Sequence, residues 1–421
     1  MKKSAHAQEA KISLHLQGNH NFPKVSYPVH SGIYSEIETD SHLFHFNLNH
    51  EIIRIKGKDS SWRHPHEWLK RTVGDDWVYH STGGYTGVFE ATGEYYLPNF
   101  KYPSNNILGG RPFSSPELND LTLDWHLILE SIAERGSHDT ETNNFLKTVL
   151  QKNPQFLRTK AEAFHTLTGG YISVLPPDAR HVDYQLIPIN ISSGCLYKCR
   201  FCKVKNNFAF KELDYQEIDF QIAGMKNILG ADLTNYNSIY LGEHDALLTN
   251  PQTILYSIQK ACNDLGFYNS YIDNVNCFFF GSATSLMQAP DVLFEDLQHL
   301  QGKTYINIGL ESPDQSTLDQ LGKPISAAMV WESFKRIQHI NTTYSNIEIS
   351  ANFIMDDTLP STHYKEVEKL IRDTQTYQQA KGTIYFSPLT FDKPSRAKLF
   401  KFNRLKIMSR FPTYLYIIRR L

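Results

Sequence analysis

The stretch Tyr184–Lys203, YQLIPINISSGCLYKCRFCK, joins two unlike pieces of chain. Its first half alternates large apolar residues with few polar ones, the pattern of a short buried strand. Its second half places Cys195, Cys199 and Cys202 at spacing C-x3-C-x2-C, three of the five cysteines in 421 residues. A strand that opens directly into a cluster of soft ligands puts the chemistry at a strand end. The fold is therefore read outward from this point.

Downstream, similar apolar runs recur at 238–241, 277–282, 305–310, 347–355 and 383–387. Segments with helical spacing lie between them at 213–229, 251–265, 289–300, 314–340 (broken near Gly322-Lys323-Pro324) and 361–380. Strand and helix alternating about six times predicts a parallel sheet with crossover helices, an α/β fold. Sites in such folds gather at the C-terminal ends of the strands.

Upstream, Ser81–Asp120 is crowded with Gly, Pro, Ser and Asn. The first 120 residues read as irregular, with short strands at about 42–56 and 85–97, and helices follow at roughly 120–135 and 141–167, interrupted at Pro154. The chain divides near residue 181. The expected units are an α+β or irregular N-terminal accessory domain over 1–180, a core over 181–390 and a basic, aromatic segment over 391–421. That last segment carries nine Lys or Arg and no Asp or Glu between Lys393 and Leu421. It reads as a packing segment closing the open side of the core, with an amphipathic surface helix as the alternative.

Composition narrows the partners. A net charge of −2 gives no reason to expect nucleic acid or an anionic membrane. An odd, low cysteine count argues against a disulfide scaffold and for a reducing cytoplasm. No apolar run reaches the length of a signal peptide core or a transmembrane helix.

Three close-spaced thiolates on a loop can hold three corners of an iron–sulfur cubane and leave one iron open. A zinc knuckle is the other reading, and it needs a fourth ligand. Cys262 and Cys277 are distant and read as buried apolar residues, while His181 and His244 remain candidates for that place. His64 and His66, flanking a proline, are too few to specify a metal site.

The triplet, with Phe201 before its last cysteine, resembles the signature of radical S-adenosylmethionine (radical SAM) enzymes. The likeness extends over about 184–390 and is nearest to the branch with oxygen-independent coproporphyrinogen oxidase-like and methylthiotransferase-like cores. The resemblance implies a partial (β/α)6 TIM-like barrel. It also implies a [4Fe–4S] cluster on Cys195, Cys199 and Cys202, whose open iron takes the amino and carboxylate groups of SAM. One electron, from a donor such as flavodoxin or ferredoxin, cleaves SAM to methionine and a 5′-deoxyadenosyl radical that abstracts hydrogen from the substrate.

Other strand ends extend the likeness. In Tyr240–Leu248, Gly242 and Glu243 match the family's Gly-Gly-Glu segment, which receives the SAM amino group, with Leu241 in place of the first glycine. Ile306–Ser326, INIGLESPDQSTLDQLGKPIS, places Glu311 near the ribose and methionine part of SAM and Lys323 near its carboxylate. Asn352 falls where relatives contact the ribose, Ile354 where an apolar residue touches adenine, and Ser387-Pro388-Leu389 resembles the closing turn. After the third run relatives carry a Glu that this chain lacks, leaving Ser282 or Thr284 as hydroxyl substitutes. No cobalamin-type DxHxxG pattern and no second cysteine cluster occur. The leading expectation is a radical SAM enzyme acting on a small-molecule or macromolecular substrate that the sequence does not name. A non-catalytic iron–sulfur or zinc-binding scaffold, and a relative that binds SAM without making the radical, are the alternatives.

Overall fold

The computed structural model describes residues 10–22, 30–58, 62, 67–81, 93–97, 115–135, 139–202, 208–242, 244–373, 381–389, 396–416 and 420–421. The N-terminal part is an antiparallel meander of seven strands in sequence order: β1 (Lys11–Gln17), β2 (Ile33–Glu38), β3 (His42–Phe46), β4 (Ile52–Gly57), β5 (Trp68–Arg71), β6 (Trp77–Ser81) and β7 (Gly93–Tyr96). This region is more regular than the irregular segment expected. The two expected strands correspond to the β3–β4 hairpin and, within the described residues, to β7. In β1 and β2 charged and polar residues interleave the apolar ones, as in IYSEIE, so their apolar alternation is thin. Their inner face packs Ile37, Phe44, Ile55 and Leu69 against helices α1 (Ser115–Arg135), α2 (Thr140–Gln151) and α3 (Pro154–Leu167). Asn153 caps α3 through Phe156 N–H, and Pro154 opens it rather than breaking one long helix.

A second core belongs to a seven-stranded, wholly parallel sheet with helices in its crossovers, the partial TIM-like barrel expected. Its elements in chain order are β8 (Leu186–Ile189), a two-residue ribbon β9 (Ser192–Ser193) and β10 (Lys211–Glu212), α4 (Tyr215–Leu229), β11 (Ser238–Leu241), α5 (Pro251–Asp264), β12 (Asn276–Ser282), α6 (Ala283–Gln288), α7 (Asp291–His299), β13 (Lys303–Glu311), α8 (Gln315–Leu321), α9 (Ala327–Thr343), β14 (Ile347–Met355), α10 (Ser361–Asp373), β15 (Ile384–Pro388), α11 (Arg396–Met408) and β16 (Thr413–Leu415). The sheet order is β8-β11-β12-β13-β14-β15-β16. Parallel strands covered on both faces read as continuous apolar runs. The fully buried Phe278, Phe279, Ile306, Ile308 and Phe353 follow that rule.

Six strands were expected and seven are present. β16 comes from the basic, aromatic segment, whose Phe402, Leu405, Phe411 and Leu415 join the barrel core. The break at Gly322-Lys323-Pro324 separates α8 from α9 as expected, with Gly322 in the left-handed region.

The sheet does not close on itself, for β8 and β16 are not paired to one another. The gap is crossed by Tyr171–Pro176. Tyr416 Oη donates to Leu175 O at 2.5 Å, Leu421 N–H to Ile172 O at 3.2 Å, and Tyr240 Oη to Val174 O at 3.4 Å. A short 3-10 helix, Pro177–His181, follows. Its Asp178 is buried and accepts from Ser350 Oγ (2.5 Å) and Tyr385 Oη (2.9 Å). The N-terminal sheet meets the barrel at Asp183, where Arg54 and Lys70 both pair with one carboxylate. Burial alone would raise that carboxyl, but Lys70 and Arg54 hold it down at about 2. Among the described residues no helix is long and apolar enough to cross a membrane.

Candidate active site at the C-terminal ends of the parallel strands

The cysteine loop is an excursion from β8, closed at its base by the β9–β10 ribbon. Gly194 starts it at φ 78°, where a Cβ would lie 2.2 Å from Ala209 O, so only glycine fits. The loop is tied down at two further points. Arg200 N–H donates to Leu321 O at 2.9 Å, and the Tyr197 hydroxyl bonds Thr284 Oγ1. Cys195, Cys199 and Cys202 are half-buried and in no disulfide. Burial pushes the Cys195 thiol up and the Cys199 thiol up to about 11, with Lys323 pulling both the other way.

All three cysteines line one cavity of about 460 Å³, within the range of pockets that enclose a drug-sized ligand. Among the expected site residues, Glu311, Lys323, Asn352, Ile354 and Ser387 line the same cavity, as do His244 and Ser282. Elements far apart in sequence thus meet at the ends of β8, β11, β12, β13, β14 and β15.

Glu311 ends β13 at a bulge, where the pairing with β14 slips between Gly309 and Glu311. Its φ of 64° is unusual for a buried non-glycine residue, a strain that such sites carry when a side chain must be aimed. Lys323 is buried and donates to Gly309 O at 2.6 Å and to Glu311 Oε1 at 3.1 Å. Burial alone would lower its ammonium; Glu311 and the nearby Cys199 hold it above its usual range. Among the described residues Glu311 Oε2, which is buried, has no partner. A Cβ on Gly309 would lie 2.6 Å from Glu311 Oε1, so the glycine makes room for the carboxylate.

Behind this pair, Ser312 Oγ and His363 Nδ1 lie 2.8 Å apart, and His363 Nε2 is 3.0 Å from Ile354 O. A carbonyl only accepts, so Nε2 carries the proton and Nδ1 accepts from Ser312. Burial holds this imidazole down at about 4. Opposite, Ser387 Oγ donates to Asn352 Oδ1 at 2.7 Å.

Several expectations meet different surroundings. Gly242 has φ 58° and spends its N–H on Ile189 O at 3.0 Å; it shapes the turn after β11 and does not line the cavity. Glu243 lies outside the described residues, as do His64 and His66. The Ser282 hydroxyl is engaged with Ser285 in the capping box of α6, and Thr284 is taken by Tyr197. His181 stacks on Tyr305 and is not at the cavity, and Cys262 and Cys277 are buried in the core.

Sequence reasoning missed Asp245, which lines the cavity and is 1% exposed. Its Oδ1 accepts from Ser282 N–H (3.0 Å) and Ser285 Oγ (2.5 Å), and its buried Oδ2 has no partner among the described residues. Burial pushes this carboxyl up, while the two serines favour its ionised form. Nothing in HDALL marks it, because its partners are 37 and 40 residues away. His363 was missed for the same reason.

Among the described residues no three His, Cys, Asp or Glu are grouped to hold a metal ion.

No family model matches the chain, and no curated protein matches it. Solved structures give partial likenesses. One is the cobalamin-dependent S-adenosylmethionine radical enzyme OxsB, at 17% identity over 47% of this chain and 28% of that one, TM-score 0.34. Another is a radical SAM methyltransferase from Sphaerobacter thermophilus, at 13% identity over 55% and 65%, TM-score 0.37. A third is methylornithine synthase (PylB), at 13% identity over 67% and 77%, TM-score 0.35. The matched part is thus under a third of OxsB's own length, and overall likeness at these values is limited. The functional reading rests on the site.

Proposed function

We propose that this chain is a radical SAM enzyme. The observation that carries the reading is one cavity, at the C-terminal ends of parallel strands, lined by three cysteine thiols and by a buried carboxylate–ammonium pair, one of whose carboxylate oxygens has no partner among the described residues. Three thiols with no fourth at the cavity suit a [4Fe–4S] cluster, which takes one thiolate per iron. Zinc instead asks its ligands to converge on one ion. The orphaned Glu311 Oε2 and the room left by Gly309 suit a polar ligand beside those thiols. Cluster and SAM together would supply a 5′-deoxyadenosyl radical able to abstract hydrogen.

In this reading the chain's own residues bind, orient and exclude water. Cys195, Cys199 and Cys202 bind the cluster. Glu311 and Lys323 orient polar groups of SAM: the carboxylate accepts from hydroxyl or ammonium, and the ammonium offers charge to a carboxylate. Asn352 and Ser387 present hydroxyl-binding groups, and Ile354 an apolar face. Glu243, two residues before Asp245, is kept for the SAM ammonium on the strength of its motif. Tyr197 holds the loop through Thr284.

Protein reconstituted anaerobically with iron and sulfide should show a cluster spectrum that SAM perturbs, and should release 5′-deoxyadenosine on reduction with dithionite. Protein purified without oxygen that carries one zinc, no iron and no SAM cleavage would instead support a metal-binding scaffold.

A further inference from the structure

Among the described residues lining the cavity, one carboxylate has no ion-pair partner. Among the described lining residues, Glu311 is balanced by Lys323. Lys198 and Arg200 are exposed at the loop, where water and salt screen them. Asp245 remains, buried on the wall, with Oδ2 unpartnered.

The carboxylate is held in place. Ser282 and Ser285 bond one another in the capping box of α6, and both bond Asp245 Oδ1. That fixes which oxygen remains free. A buried carboxylate oxygen without a partner is costly, and a cation brought by the ligand removes the cost.

We propose that Asp245 reads the charge of the adenosyl ligand. It makes the cavity prefer the sulfonium of SAM to the uncharged thioether of S-adenosylhomocysteine. The inference rests on the radical SAM reading of the site. The two ligands share their ammonium, carboxylate, ribose and adenine, so contacts by Glu243, Glu311, Lys323 and Asn352 cancel in the comparison. They differ by one methyl group and one positive charge. A single charge facing an unpaired carboxylate in a partly enclosed site is worth about tenfold or more in affinity.

The test measures dissociation constants of both ligands by anaerobic calorimetry on cluster-loaded, unreduced protein, with iron per chain determined alongside. Asp245→Asn keeps the shape and the bonds to Oδ1. The expected result is SAM binding weakened about tenfold or more and S-adenosylhomocysteine binding changed less than about threefold. Equal weakening of both ligands, or no change in either, overturns the inference. If Asp245→Asn does not load its cluster, Ser285→Ala decides. It loosens Asp245 and should reduce the SAM preference about two- to fivefold; an unchanged preference overturns the inference. Wild-type protein that loads a cluster yet binds neither ligand removes the underlying reading of the site. That result is separate from bound SAM without a charge preference, which removes the role of Asp245 alone.

Discussion

Lys323 donates to one oxygen of Glu311 at 3.1 Å and leaves the other oxygen of that buried carboxylate bare. The pair is a structural tie between β13 and the segment after α8 and, in the proposed function, half of a binding group. The two roles separate by mutation. Glu311→Gln strands the Lys323 charge and should cost about 3 kcal/mol of stability. Glu311→Gln combined with Lys323→Met removes both charges and should recover most of that loss. SAM affinity should fall about tenfold or more in both variants. Urea unfolding and calorimetry read the two effects, and a double variant that binds SAM normally would remove Glu311 from the site.

The cysteines should divide three against two. Alanine at Cys195, Cys199 or Cys202 should abolish the cluster, with iron falling from about four atoms per chain to below one. Alanine at Cys262 or Cys277, buried in the core away from the cavity, should leave iron content unchanged. Iron assay and visible absorbance decide it, and loss of iron in Cys262→Ala would move the metal site elsewhere.

His363 makes the fold behind the site sensitive to acid. Its imidazole is held near 4 in the folded chain against 6.5 when free. The unfolded state therefore takes up the proton first. The stability His363 contributes is present above pH 6.5 and lost as pH falls through 4, about 3 kcal/mol in all. His363→Gln keeps a donor for Ile354 O and should flatten this part of the profile. Denaturant midpoints from pH 4 to 8, wild type against variant, show whether the difference lies there.

Asp178 works in the opposite sense. Burial raises its carboxyl from 3.8 to about 6 despite the hydroxyls of Ser350 and Tyr385. Its contribution is fully present below pH 3.8 and is lost as pH rises through 6, again about 3 kcal/mol. Asp178→Asn should therefore gain relative to wild type between pH 4 and pH 7. A variant that tracks wild type across that range would mean that the carboxyl does not titrate there.

The parallel sheet was legible because buried parallel strands are unbroken apolar runs, and SIYL, IEISANFIM and TIYFS stand out from polar surroundings. The break between α8 and α9 was legible because Gly322 and Pro324 act locally. The antiparallel meander was not, since strands such as KISLHLQ and IYSEIE cover one face, only partly in the first, with two or three strongly apolar residues. β16 was hidden in a basic segment of which Phe402, Phe411 and Tyr416 face inward. Of the residues that local motifs single out, the three cysteines, Glu311, Lys323, Asn352 and Ile354 line one cavity. Asp245 and His363 escaped because their partners are distant in sequence. Gly242 matched a motif, yet its N–H is committed to Ile189 O.

The late strand β16 and the strap across the gap have a consequence for the chain's behaviour while it is incomplete. Until Thr413–Leu415 is made and docked, β15 presents a flat row of unpaired backbone N–H and C=O groups beside Phe386 and Tyr385. Such a row recruits strands from other molecules. A chain cut before Thr413 should therefore self-associate through β15, a hazard that docking of β16 removes during synthesis.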